Sequence, residues 1–362
     1  MRPRWAKVLL SVVMLLIIVR IALPSIVKWV INDRLAQLEG YYGHVEDVDI
    51  ALWRGAYQLD ALNIMKIESD VPVPFLSVDE TDISIDWWAV LEGQIVAEVT
   101  MEHPVLNFVS SVSGGEGQMG EGNDWRDVVN DLVPITINRF ETHDGEITYL
   151  DYNSHPPVDL RLTDTEIVAE GLSTARDENT SDEDELPARL DLYATAQQSG
   201  HLEVHMGLDA FDEQPTFDLD LALEDLDADE LNDMLRAYAG VDAEGGRVFL
   251  YSELSARNGN FEGYVKPMAE GLAIFQFGED GDFIDLVGDF LVSLVAEIFE
   301  NHGTDRLAVR VPVSGTFEAV EVDGWAVVGS VLYNAFIEAI QHGVENRGGW
   351  RREPRGERSA AR

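Results

Sequence analysis

The chain has 362 residues, 67 of them Asp or Glu and 25 Lys or Arg, for a net charge of −42, with 46% hydrophobic residues and no cysteine. A surface this acidic repels nucleic acid and anionic headgroups over most of its area, and without thiols there are no disulfides, Cys nucleophiles or Cys-based zinc sites. The charge is uneven: residues 1–34 hold six Lys or Arg against one Asp, and residues 347–362 six Arg against two Glu, so the body between them is more acidic than the total. Such acidity is also the mark of proteins adapted to high salt, where screening tames self-repulsion.

The chain opens on a cationic cap, Met1 to Lys7, followed by the apolar run Val8 to Val19. A dozen helical residues at ~1.5 Å each fall short of a ~30 Å hydrocarbon core, so a spanning helix continues through Arg20 towards Trp29. Trp5 with Lys7, and Lys28 with Trp29, then mark the two interfaces, while the long stem of Arg20 carries its guanidinium outward. A removed signal peptide is the rival reading. It requires small residues at a cleavage site, and Ile21-Ala22-Leu23-Pro24-Ser25-Ile26 offers no good pattern of that kind. The expectation is a single-pass bacterial inner-membrane anchor with its basic end in the cytoplasm and everything after about residue 34 in the periplasm.

From there the pattern is period two. Ile83, Ile85 and Trp87 alternate with polar residues; Ile95, Ala97, Val99 and Met101 form the next such set. The same alternation runs through Leu190-Asp191-Leu192-Tyr193-Ala194, Phe217-Asp218-Leu219-Asp220-Leu221 and Leu307-Ala308-Val309-Arg310-Val311. Each strand therefore turns one face to something apolar and the other to water, and the short turns between them predict an antiparallel meander. Ser113 to Asn123, rich in Gly, and Asp177 to Glu185, dense in acid, read as loops. The first lacks the Lys and flanking elements of a phosphate cradle, the second the spacing of a calcium loop.

Three helices are expected: a short one over 228–238 with Asp227 as its cap, an amphipathic one whose stripe runs from Phe283 to Ile298, and an apolar one over 325–342. The division that follows is a cytoplasmic stub and transmembrane anchor (1–34), a periplasmic β region (35–225), a C-terminal β region with helices (226–346) and a basic, disordered tail (347–362). Six Arg in the tail attract anionic headgroups at about 1 kcal/mol per charge near a surface, which is compatible with disorder.

No H-E-x-x-H, G-x-S-x-G or Walker sequence occurs, so no catalytic residue, metal ligand or cofactor is assigned and the chain is read as non-enzymatic. His201, Glu203 and His205 share a strand face and come nearest to a metal set, but solvated polar residues explain them equally.

The most specific run lies between about 226 and 343: Leu235-Arg236-Ala237-Tyr238-Ala239-Gly240-Val241-Asp242, then Gly246-Arg247-Val248-Phe249-Leu250-Tyr251, then Gly263-Tyr264-Val265-Lys266-Pro267, with Val311-Pro312-Val313-Ser314-Gly315 further on. This order resembles the AsmA-like bacterial family catalogued as domain of unknown function 748, and the anchor followed by Asp49-Ile50-Ala51-Leu52-Trp53-Arg54-Gly55 is similar to its start. The resemblance implies an anchored periplasmic protein with an elongated, curved antiparallel sheet whose apolar trough carries lipid. Together with the alternation it predicts that phospholipid acyl chains lie against Ile95, Val99, Leu190, Leu192, Phe217, Leu219, Leu221, Leu307, Val309 and Val311, in envelope lipid transport or homeostasis. The alternative is a scaffold recruiting envelope proteins, with the sheet closed over its own helices and Tyr264 to Pro267 part of its contact surface.

Overall fold

A computed structural model of the chain describes residues 4–38, 40–51, 54–67, 70–85, 96–110, 117–118, 136–172, 186–209, 216–276, 306–308 and 310–316. Among them are two α-helices, α1 (Arg4–Leu35) and α2 (Asn232–Ala239). The strands are β1 (Tyr41–His44), β2 (Asp47–Ala51), β3 (Ala56–Lys66), β4 (Leu76–Ile85), β5 (Val96–Glu102), β6 (Val105–Val109), β7 (Thr136–Asp151), β8 (Val158–Glu170) and β9 (Ala188–Ala196). They continue with β10 (Gly200–Leu208), β11 (Phe217–Asp227), β12 (Val241–Ala243), β13 (Arg247–Arg257), β14 (Asn260–Glu270), β15 (Ile274–Gln276), β16 (Arg306–Ala308) and β17 (Val311–Thr316).

The chain is mainly β, as the alternation predicts, and among the described residues fifteen strands join one sheet whose order follows the chain. Three of its rows are built from two collinear strands: β1 and β2 pair with successive parts of β3, β5 and β6 with β4, and β17 and β16 with β14. At ~4.8 Å per row the sheet is about 50 Å across. The expected boundary at 225/226 falls inside β11, and the sheet continues across it to β13. β12 and β15 form a separate ribbon.

The expectation of a wholly antiparallel sheet is corrected: β5 and β6 run parallel to β7. Parallel neighbours need a crossover of a dozen or more residues, and the stretch from 110 to 135 is long enough to supply it. The short helix is also corrected at its start. Residues Ala228–Leu231 form a 3₁₀ turn before α2, and Asp227 makes no side-chain cap; its N–H instead donates to Ser199 Oγ at 2.8 Å. The expected helices over 283–298 and 325–342, the loop at 177–185 and the tail lie outside the described residues, as does all but 117–118 of the glycine-rich loop.

Neighbouring strands of the first half bend at one line. It passes between β1 and β2, through Ala61 of β3, between β5 and β6 at His103, and through Asp144 of β7 and Asp164 of β8; these four residues have φ of 48 to 50°. Register shifts mark the crease in β7 and β8. An extra residue in a strand moves the alternation by one, which lets Leu160 and Leu162 before the crease and Ile167 and Ala169 after it serve one apolar face. Gly145 sits where the strands crowd: a methyl there would lie 3.1 Å from the Thr165 carbonyl and 3.2 Å from Pro104.

The C-terminal part of α1 is fixed to the sheet. Ile31 and Leu35 are buried in a core with Tyr41, Val45, Val48, Leu59, Ile64, Val78 and Ala97. The Asn32 side chain accepts from Val45 N–H at 2.7 Å and donates to Val45 O at 3.2 Å, so its amide stands in for a neighbouring strand where β1 passes to β2. Lys28 Nζ donates to the Glu46 carbonyl. The device recurs: Asn232 accepts from Ala243 N–H at 2.8 Å and donates to Ala243 O at 3.0 Å. Both asparagines sit in one pattern, Asn-Asp-x-Leu-x-x-x-x-Gly, ending at Gly40 and Gly240, whose φ of 71° and 63° suits glycine.

Nearer its start α1 stands away from the sheet, with Leu10, Met14, Ile17, Ile18, Ile21 and Trp29 exposed. Among the described residues no helix is long and apolar enough to cross a membrane. The side chains of Trp5, Lys7, Val8, Leu9, Val12, Leu15, Leu16 and Val19 fall outside that description.

Candidate functional site

The expected groove residues fall into two places. Val99 belongs to the first core, near Ile83 and Phe140. Leu190, Phe217, Leu219, Leu221 and Val311 belong to a second core with Met206, Leu208, Leu254, Phe261, Val265 and Val313. Ile95 and Val309 lie outside the described residues, and for Leu307 only the backbone is described, as part of β16 beside β14.

In the second core the register turns alternation into cross-strand ladders. Ala188, Leu208, Phe217, Ala256 and Phe261 stand in one row, and Leu190, Met206, Leu219 and Leu254 in the next. Leu192, Val204, Leu221, Ser252 and Val265 make the third, with Val311 opposite Val265. Ala194, Leu202, Leu223 and Leu250 make the fourth. Burial falls along this series: Phe217 and Leu219 are 1% and 3% exposed, whereas Leu192, Leu202, Val204, Leu221, Leu223 and Leu250 are half-buried. The expectation that all these positions line an open groove is therefore corrected. Phe217 and Leu219 are core, and the accessible apolar strip is the third and fourth rows.

Sequence reasoning missed Val204, Leu202 and Leu250 as strip residues, although 202–208 and 248–256 carry the same alternation. α2 packs against β8 and β12, and its Tyr238 hydroxyl donates to Asp151 Oδ2 of β7 at 2.9 Å. Burial, reinforced by hydrogen bonds with Tyr149 and Asp151, pushes the Tyr238 phenol far above its usual range. α2 is thus tied across to β7.

The opposite face is polar. His205 Nδ1 lies 2.6 Å from Asp191 Oδ1, Arg257 donates to Asp218 at 2.6 Å and the Tyr264 hydroxyl donates to Glu253 at 2.6 Å. A cavity of about 310 Å³ opens among Glu203, His205, Asp220, Ala222, Tyr251, Glu253, Tyr264 and Lys266, and also touches Leu221 and Ser252. His201, Glu203 and His205 share this face, and among the described residues no group of three or more His, Asp or Glu is placed to hold a metal ion. No protein-family model matches the chain, and no curated protein matches it.

Proposed function

We propose that this is a membrane-anchored, AsmA-like periplasmic protein that shelters phospholipid acyl chains against the half-buried strip of β9, β10, β11 and β13, in lipid transport or homeostasis of the bacterial envelope. The observation that carries this reading is the strip itself. Leu192, Val204 and Leu221, with Leu202, Leu223 and Leu250 beside them, make a continuous apolar surface in register, neither sealed like Phe217 nor scattered singly. Contiguous accessible apolar surface marks a binding site, and acyl chains, which present no hydrogen-bonding group, fit a wall whose one polar side chain, Ser252, spends its hydroxyl on the Tyr264 carbonyl.

The anchor is supported by the exposed apolar side chains of α1 from Leu10 to Ile21 and by the cationic residues that precede them. Because Ile31 and Leu35 complete the first core, the sheet is held stiffly at the end of the helix.

The test is a photo-crosslinking amino acid placed in the full-length chain at Leu221 or Val204, with Thr195, opposite His201 on the polar face, as the control. Irradiation of cells followed by mass spectrometry should find phospholipid adducts at Leu221 and Val204 only. Adducts absent from both, or equal at Thr195, would sink the reading.

A further inference from the structure

We propose that the polar face carries a second site, the cavity floored by Ala222 and walled by Tyr251 and Tyr264, and that it binds an alkylammonium group. The register builds it from four strands. Glu203, Ala222, Tyr251 and Lys266 stand in one cross-strand row, and His205, Asp220, Glu253 and Tyr264 in the next. Ala222 is the small member of its row, and the gap above it is the cavity of about 310 Å³, on the side of the sheet away from the apolar strip.

Its chemistry selects a cation with a hydrocarbon body. Glu203, Asp220 and Glu253 outnumber the ammonium of Lys266 and the guanidinium of Arg310 over Tyr264, so an anion is repelled. The tyrosine hydroxyls are already committed, Tyr251 donating to Glu224 at 2.8 Å and Tyr264 to Glu253 at 2.6 Å. What remains to a ligand is the Tyr251 ring and the face of Tyr264 that Arg310 does not cover, which attract cations through their quadrupole.

The protein itself demonstrates that preference: Arg310 lies 3.6 Å from the centre of the Tyr264 ring, and Lys266 Nζ 5.8 Å from that of Tyr251. Lys266 is a tethered stand-in for the ammonium, loosely placed over its ring, and a free alkylammonium with carboxylates to meet it displaces it. Burial and the bond to Glu224 push the Tyr251 phenol up to about 12, so the ring stays neutral throughout the working range. The most distinctive stretch of the sequence, Gly263 to Pro267, acquires two roles here: Val265 is buried in the second core, while Tyr264 and Lys266 face the cavity.

An ammonium of this kind is borne by free polyamines and by lipid headgroups, and two probes separate them: spermidine and phosphocholine. The full-length protein in neutral detergent, with its ten tyrosines replaced by 3-fluorotyrosine, reports each ring by fluorine NMR. Tyr251 and Tyr264 are assigned through Tyr251→Phe and Tyr264→Phe. Saturable shifts of these two signals with spermidine indicate a free polyamine as the natural occupant, and with phosphocholine alone a headgroup.

Ala222→Leu fills the cavity without changing the charge and should weaken binding at least tenfold. Lys266→Ala, which removes the stand-in, should tighten spermidine binding several-fold. The unshifted tyrosine signals show whether each variant is folded. Neither probe moving the pair, equal shifts spread over all tyrosines, or binding untouched by Ala222→Leu would overturn the proposal, since diffuse attraction to an acidic chain has no need of the cavity.

Discussion

The two cores are made from the same kind of sequence and end differently. Around α1, β3 and β4 the alternating strands are creased, their edge is capped by a helix, and the apolar face is sealed: Val45 and Ala97 are 0% exposed and Leu35 1%. The registers of β9 with β10, β10 with β11 and β13 with β14 run without a shift, β11 slips against β13 only at its end, beside Asp225, and the apolar face passes from buried at Phe217 to half-buried at Leu221. Alternation tells which face is apolar. What covers that face is decided by distant elements, in the first region by Ile31 and Leu35 of α1.

The sharpest test of this contrast is charge placed on neighbouring rungs. Leu219→Asp puts an unpaired carboxylate into the second core and should cost several kcal/mol, on the order of 3–5, enough to lose cooperative unfolding in urea. Leu221→Asp, one row along, should leave the melting curve within about 1–2 kcal/mol of wild type while abolishing lipid adducts at Val204. Equal destabilisation by the two would mean the strip is closed core.

Next in size are the twin asparagines. Asn32→Ala orphans both backbone groups of buried Val45 and should cost about 3 kcal/mol, read as a lower urea midpoint. Asn232→Ala should instead act locally, with hydrogen exchange rising in α2, β12 and β15 while β9 to β11 stay protected. A global loss in both would merge the two regions into one cooperative unit.

A smaller effect separates the creased from the uncreased strands. Gly145→Ala crowds the Thr165 carbonyl and Pro104 and should destabilise by about 1 kcal/mol. Gly207→Ala in β10, whose methyl would meet Leu186 at 3.4 Å, should be neutral.

The smallest is a pH effect at the crease. His143 Nδ1 lies 2.8 Å from Glu166 Oε2, and that bond, with the charges of Glu102 and Glu141 adding to it, raises the imidazole pKa. A raised folded-state pKa stabilises below the unfolded value near 6.5 and loses that contribution as pH climbs through the folded one. Both side chains are about 40% exposed, so screening keeps the gain below about 1 kcal/mol. Stability of the wild type relative to His143→Gln should therefore fall as pH rises past the unfolded value near 6.5, and a flat difference would show the pair to be idle.

Much of this architecture can be read from residue order, and the exceptions have physical causes. The strands at 97–101, 188–196 and 217–223 follow their alternation because side chains of a strand point to opposite faces whatever lies beyond them. The crease was also legible, as a slip of phase: Tyr57 and Leu59 give way to Leu62 and Ile64, and Leu160 and Leu162 to Ile167 and Ala169. The parallel row was not, because pairing across the stretch from 110 to 135 leaves no local trace. Nor was the difference between Leu219 and Leu221, two equivalent leucines until the rest of the sheet is in place. The polar-face cavity depends on Ala222 meeting Tyr251 and Glu203 across two registers, a coincidence invisible along any one strand.

The order of the rows bears on how such a sheet comes into being. From β7 to β11, and again from β13 to β14, each strand pairs with the one before it, so a chain delivered from its amino end finds the partner of every new strand already in place. Contacts close in sequence keep loop-closure costs low and folding fast. The sheet can be laid down in the order in which it emerges, starting from an edge that Asn32 has already capped, and the step that must wait is the crossover into β7.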